Sequence, residues 1–126
     1  MKFLWTAIYV KNLDESIAFY SDLVGLKVMR RFPAGPATEI AMMGNGADGE
    51  TLLELLADRN NSEVSFGECI SIGFAVDSVG AMLDRLKSKN IPVHSGPIET
   101  PRSKFFTVKD PNGVNVQFFQ QKQQQP

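Results

Sequence analysis

Hydrophobic positions along this chain change period several times, and each change marks an element. Phe3 to Val10 is rich in β-branched and aromatic residues, which predicts a first strand. Leu13, Ile17, Tyr20 and Val24 then recur at helical spacing. Asn12 is placed to cap this helix, with Glu15 three residues on to close a capping box. Gly25 supplies the stop. A second strand through Val28 leads to the turn Pro33-Ala34-Gly35-Pro36 and a strand near 37–43. The glycine-rich stretch 44–49 reads as a hairpin connection, since no Lys-Ser/Thr pair and no helix follow it as a phosphate cradle requires. A strand through Glu54 closes the series.

The pattern then starts again. GFAVDSVGAMLDRLKSKNIPV (73–93) repeats AIYVKNLDESIAFYSDLVGLKV (7–28) when Val10 is set over Val76 and one residue is deleted. Asp77 or Ser78 caps the second helix, and Val79, Met82, Leu83 and Leu86 form its apolar stripe. Asn90 takes the part of Gly25, because Asn tolerates the left-handed conformation. A loop is expected over 95–101 and a strand near 103–108. The turn Asp110-Pro111-Asn112-Gly113 and a last strand over 114–120 complete the half. Each half reads βαβββ. Module one covers about 1–57, a polar linker 58–67 and module two about 68–120, and the tail 121–126 is expected to be disordered.

Composition narrows the function classes. The 126 residues suit one domain with its own core. A net charge of −1 and a pI near 5.8 provide no basic stripe for nucleic acid or an anionic membrane. No apolar run approaches the roughly 20 residues of a membrane span, and the N-terminal stretch reads as a strand rather than a signal peptide. The single Cys69 excludes an internal disulfide and fits a reducing, cytoplasmic setting. It reads as a small buried residue rather than a nucleophile. The single His94 reads as a loop-edge residue.

The candidate chemistry centres on Glu54, inside ETLLELLAD (50–58). Strand parity sends Leu53 and Leu55 one way, and Leu52, Glu54 and Leu56 the other. A carboxylate buried on an apolar face costs several kcal/mol unless something pairs with it. A metal, a cation, a ligand or cavity water would each serve.

VKNLDESIAFYSDLVGLKV (10–28) and VKDPNGVNVQFF (108–119) resemble the opening and the closing hairpin of the vicinal oxygen chelate superfamily. That superfamily includes glyoxalase I, bleomycin-resistance proteins and extradiol dioxygenases. The resemblance implies an α+β fold in which two tandem βαβββ modules form a cup-shaped mixed sheet. In metal-dependent members, four His or Glu ligands project into the cup. Their positions fall here at Trp5, Glu54, Ser71 and Gln117, and only Glu54 is an ordinary ligand. No metal and no other cofactor are therefore expected. The cup would be lined by Trp5, Ala7, Tyr9, Leu52, Glu54, Leu56, Ser71, Gly73, Asn115, Gln117 and Phe119.

The resemblance implies first a small-molecule-binding protein with a degenerate metal site, like the bleomycin-resistance branch, and leans away from an enzyme. Trp5, Tyr9, Leu52, Leu56 and Phe119 would contact an apolar or aromatic molecule. Glu54, Ser71, Asn115 and Gln117 would orient its polar group. The alternative is a glyoxalase I-like lyase or isomerase, with Glu54 as general base or sole retained metal ligand. A regulatory module with a vestigial cup is the third reading. A homodimer is expected, with no nucleic acid and no membrane among its partners.

Overall fold

The computed structural model describes residues 1–123, and residues 124–126 of the expected disordered tail lie outside the described residues. The chain divides into two compact units, Met1–Ser65 and a second that begins at Phe66. The fold is α+β, with two four-stranded mixed sheets and few helices.

The first unit runs β1 (Trp5–Tyr9), α1 (Leu13–Ala18), a π-helical turn (Phe19–Leu23), β2 (Lys27–Pro33), β3 (Thr38–Gly44) and β4 (Leu52–Asp58). Asn12 caps α1, its Oδ1 accepting from the Glu15 N–H at 2.9 Å. Gly25 ends the helical stretch at φ +88°, where a Cβ would be strained. Sheet order is β1-β4-β3-β2, with β1 parallel to β4 and the other pairs antiparallel. One face is closed by Ile8, Ala41, Met43, Leu53 and Leu55, with Leu13, Tyr20 and Leu23 from the helical segment also in the core. Ile17 and Val24, expected in the helix stripe, are half-buried, and Ser16 and Leu23 take the inward positions.

The second unit repeats the plan with β5 (Ser71–Ala75), α2 (Val79–Ser88), β6 (Ser95–Glu99), β7 (Ser103–Lys109) and β8 (Asn115–Gln121), in the order β5-β8-β7-β6. Ser78 caps α2 through the Ala81 N–H, and Asn90 takes φ +56°. Val79, Met82 and Leu86 are buried with Phe106, Val108, Val114, Val116 and Phe118 in this unit's core. The Asp110 carboxylate accepts the N–H groups of Asn112 and Val114 at 2.8 and 2.9 Å, which builds the expected hairpin turn.

Three expectations are corrected here. The 95–101 stretch is not a loop throughout, because Ser95–Glu99 forms the edge strand β6. Pro97 is tolerated because it falls in an edge strand where the register with β7 shifts between Ser95 and Ile98, so it has no partner in the ladder. The tail does not begin at Gln121, which lies in β8. Lys122 is also tied down, its N–H to the Arg102 carbonyl and its Nζ to Glu99. Cys69 is exposed, since it precedes β5 instead of lying within it. Among the described residues no helix is long and apolar enough to cross a membrane.

Candidate functional site

In the first unit, strand register sets the chemistry. Trp5 pairs with Leu52, Ala7 with Glu54, and Tyr9 with Leu56, so all six share the face turned away from the helix-covered core. Met42 and Ile40 of β3 pair with Glu54 and Leu56 and join that face. Arg30 of β2 pairs with Met42, so one row across the sheet reads Ala7, Glu54, Met42, Arg30. At about 4.8 Å per strand, Glu54 and Arg30 are on the order of 10 Å apart along the row.

Glu54 is half-exposed, not buried, because its neighbours Ala7 and Trp5 are open on this face and leave it uncovered. Leu53 and Leu55 on either side are 6% and 0% exposed, so the backbone that carries the carboxylate is held by the core. Among the described residues, the Glu54 carboxylate has no hydrogen bond or ion pair, although its row neighbour Met42 is buried. Trp5 and Tyr9 are 48% and 56% exposed, and they present an indole and a phenol on the same face.

Beside this row lies a cavity of about 360 Å³ belonging to the first unit. Of the expected site residues it takes in Trp5 and Leu52, but not Ala7, Tyr9, Glu54 or Leu56. Its other walls include Met29, Met42, Arg30, Lys2 and Glu50, which the sequence reading missed. Arg30 was hidden because a bulge between Val28 and Arg30 resets the parity of β2, and Met42 because its place beside Glu54 depends on the β3–β4 register, which joins residues distant in sequence. Glu50 was missed because its task is local. Its carboxylate accepts the Asn45 N–H at 2.9 Å through both oxygens and the Gly46 N–H at 2.7 Å, closing the glycine-rich connection.

The second unit offers different groups at the matching places. Ser71 pairs with Asn115, Gly73 with Gln117, and Ala75 with Phe119. Ser71 and Gly73 are exposed and Gln117 is half-exposed, while Phe119 stacks on Phe105 with centroids 6.1 Å apart. Asn115 is 7% exposed, so it does not stand open to a ligand as expected. Glu68 covers it, accepting from its Nδ2 at 3.3 Å, and the Asn115 Oδ1 is buried with no hydrogen-bond partner among the described residues. The same Glu68 carboxylate binds Lys109 Nζ at 2.8 Å and faces His94 Nε2 at 3.3 Å. The Lys109 ammonium, followed by the Asn115 amide, holds the Glu68 carboxyl below its ordinary range. His94 therefore sits at the strand edge as expected, but in a charge cluster that the sequence did not reveal. Its partner Glu68 precedes β5 and is distant in sequence.

The four positions that the resemblance assigns to the family's metal ligands, Trp5, Glu54, Ser71 and Gln117, carry an indole and a carboxylate in the first unit, and a hydroxyl and an amide in the second. That donor set does not fit a divalent transition metal, for which only Glu54 is an ordinary ligand. Among the described residues no group of three or more His, Cys, Asp or Glu is placed to hold a metal ion.

Residues 2–118 match the family described as the glyoxalase/bleomycin resistance protein/dioxygenase superfamily. A lactoylglutathione lyase of Neisseria meningitidis is 30% identical over 128 residues, covering 97% of this chain and 92% of that protein. Among solved structures, the trypanothione-dependent glyoxalase I of Leishmania major superposes with a TM-score of 0.82 at 24% identity, over 95% of this chain and 86% of that one. TnmS3, an antibiotic-binding protein from Streptomyces, superposes with a TM-score of 0.75 at 21% identity, over 97% of each chain. These relatives correct the expectation of a protein without a cofactor, since lactoylglutathione lyases are typically metal-dependent.

Proposed function

The chain belongs to the glyoxalase/bleomycin resistance protein/dioxygenase superfamily, and on that premise we propose that it is a glyoxalase-type lyase or isomerase acting on a small carbonyl compound, with Glu54 as its base. The observation that carries this reading is the Glu54 carboxylate itself. It is fixed by core-buried neighbours, open on one face, and without a partner among the described residues. Such a group is free to take a proton. The step removes the C–H proton from a hydroxyl-bearing carbon next to a carbonyl: the C–H pair forms a C=C bond while the carbonyl π pair moves onto its oxygen, the hydroxyl proton passes to that oxygen, and Glu54 returns its proton to the former carbonyl carbon as the hydroxyl carbon becomes the new carbonyl. The change is internal to the substrate and requires no oxidant. Trp5, Leu52, Tyr9 and Leu56 would hold the apolar part of the substrate on the same face. In the second unit Ser71, Gly73, Gln117 and Phe119 present surface suited to binding, and none of them titrates near neutral pH.

The donor set at the four ligand positions favours a second reading, small-molecule binding without turnover on the same aromatic face. One experiment separates the two. Purified protein is incubated with the adduct of a 2-oxoaldehyde and a thiol such as glutathione, with and without added divalent metal, and product is followed by absorbance. Turnover that falls about 10²–10⁴-fold in Glu54→Gln supports the base. Turnover unchanged in Glu54→Gln removes Glu54 from the chemistry, and binding with no turnover under any condition selects the second reading.

A homodimer is part of the same proposal. Phe3 and Leu4 beside the edge strand β1, and Val28 on the other edge, leave apolar surface that a second copy would cover. Sedimentation at micromolar concentration checks it, and a clean monomer counts against it.

A further inference from the structure

The cavity beside Glu54 has a sign of charge. Its apolar walls are Trp5, Leu52, Met29 and Met42, and its ionic side chains are Lys2, Arg30 and Glu50. Glu50 is already committed, because its two oxygens accept three contacts from the Asn45 and Gly46 N–H groups at 2.7–2.9 Å. Its oxygens are spent on the loop backbone and make no ion pair with Lys2 or Arg30, and two cations against one carboxylate leave the lining cationic. Among the described residues neither Lys2 nor Arg30 has a hydrogen bond or an ion pair. Arg30 lies over the Phe32 ring at 4.8 Å, a contact that holds the guanidinium in place and leaves its N–H edge free. Lys2 lines the same cavity, its Nζ 3.8 Å from where a Cβ on Gly49 would stand.

We propose that this cavity binds a small carboxylate with an apolar body, the carboxylate meeting Arg30 and Lys2 and the body lying against Trp5, Leu52 and the two methionines. A planar guanidinium fork suits a carboxylate, and an indole with two thioethers suits a flat apolar group. The assignment rests on the reading of this face as the substrate site, and it gives that site a substrate class. The ligand is anionic at the Arg30 end, with its reactive carbon about two strand spacings away, over Glu54. It also reverses the simplest expectation from Glu54 alone, which is a cationic ligand.

Trp5 is the only tryptophan in the chain, so its emission reports on the cavity wall. The protein is titrated with 3-phenylpropanoate, 3-phenylpropanamide and 3-phenylpropylammonium, which share a body and differ in charge, by calorimetry and by Trp5 emission. The carboxylate should bind about tenfold tighter than the amide, as expected of a charge-assisted contact at a solvent-open site, and the ammonium should bind weakest. Arg30→Gln and Lys2→Gln should each weaken the carboxylate by about three- to tenfold and leave the amide within about twofold, which also shows that the variants are folded. Equal binding of carboxylate and amide, an unchanged carboxylate affinity in Arg30→Gln, or no binding of any of the three at millimolar concentration would each overturn the assignment. Glu54→Gln keeps the two claims apart. Carboxylate preference without turnover in wild type leaves this inference standing and removes the lyase reading. Turnover that depends on Glu54, without carboxylate preference, does the opposite.

Discussion

Replacing Glu54 by leucine should make the protein more stable while removing its base. Glu54 stands on an open sheet face between Leu52 and Leu56, opposite buried Met42, and among the described residues nothing hydrogen-bonds to it. A residue retained for structure would show a partner that its removal strands. Full burial of a leucine side chain stabilises by about 1.5–3 kcal/mol. At a half-exposed position roughly half of that applies, and leucine also fits a strand better than glutamate. The net gain should be about 1 kcal/mol, or about 3–5 °C in Tm for a chain of this size. Urea unfolding followed by circular dichroism measures it, with the midpoint rising and the slope unchanged. Glu54→Leu should also abolish turnover, which makes the site a place where stability is given up for function. A loss of 1 kcal/mol or more would refute the reasoning, because it would mean that Glu54 holds a contact in the folded protein and is not a free base.

Gly44→Ala should destabilise the first unit by about 1–3 kcal/mol, because a Cβ there would meet Glu50 Oε1 at 2.5 Å and Leu52 Cδ2 at 2.6 Å. The same change should loosen the 45–50 loop, seen as faster amide exchange at Asn45 and Gly46. Phe106→Ala, at a position 1% exposed and packed 5.4 Å from the Phe118 ring, should cost about 3–5 kcal/mol by denaturant unfolding. The Glu68 carboxyl titrates below its ordinary value in the folded protein, so the tether it makes is present above about pH 4.5 and is lost as pH falls through its folded pKa. Amide exchange over 66–70, corrected for intrinsic rates, should therefore rise on acidification below that point in wild type. Lys109→Gln should move the onset toward higher pH, and equal onsets would count against the tether.

Periodicity carried most of the fold into view, because the elements that declare themselves are those closed by local chemistry. Asn12, Ser78, Gly25 and Asn90 each act within a few residues, and their caps and turns appear where the pattern puts them. Strand parity likewise placed Leu53 and Leu55 inside and Glu54 on the other face. What parity does not carry is how far each face is covered. Glu54 was expected to be buried and is half-exposed, and Asn115 was expected to be open and lies under Glu68. Both errors have one cause: burial depends on a residue far away in sequence or on a neighbouring strand. β6 was misread because Gly96 and Pro97 look like loop residues, whereas an edge strand accommodates them. Arg30 stayed hidden because a single extra residue in β2 switches the face of everything that follows it.

The internal repeat builds two equivalent rows that carry different chemistry. Equivalent rows run Ala7, Glu54, Met42 in the first unit and Gly73, Gln117, Thr107 in the second. The backbone pairing is the same: a parallel partner on one side of the central strand and an antiparallel partner on the other. Only the side chains differ. An amide and a hydroxyl donate and accept hydrogen bonds but make poor general bases, whereas a carboxylate can serve as one. The first row also sets its carboxylate beside an apolar thioether, and the second sets its amide beside a hydroxyl. Duplicated geometry has therefore been given two kinds of surface. One can move a proton next to an apolar wall, and the other can only hold polar groups in place. On the proposed lyase reading, Glu54 is the member of these two rows able to act as general base, and the Gly73, Gln117, Thr107 row contributes binding alone.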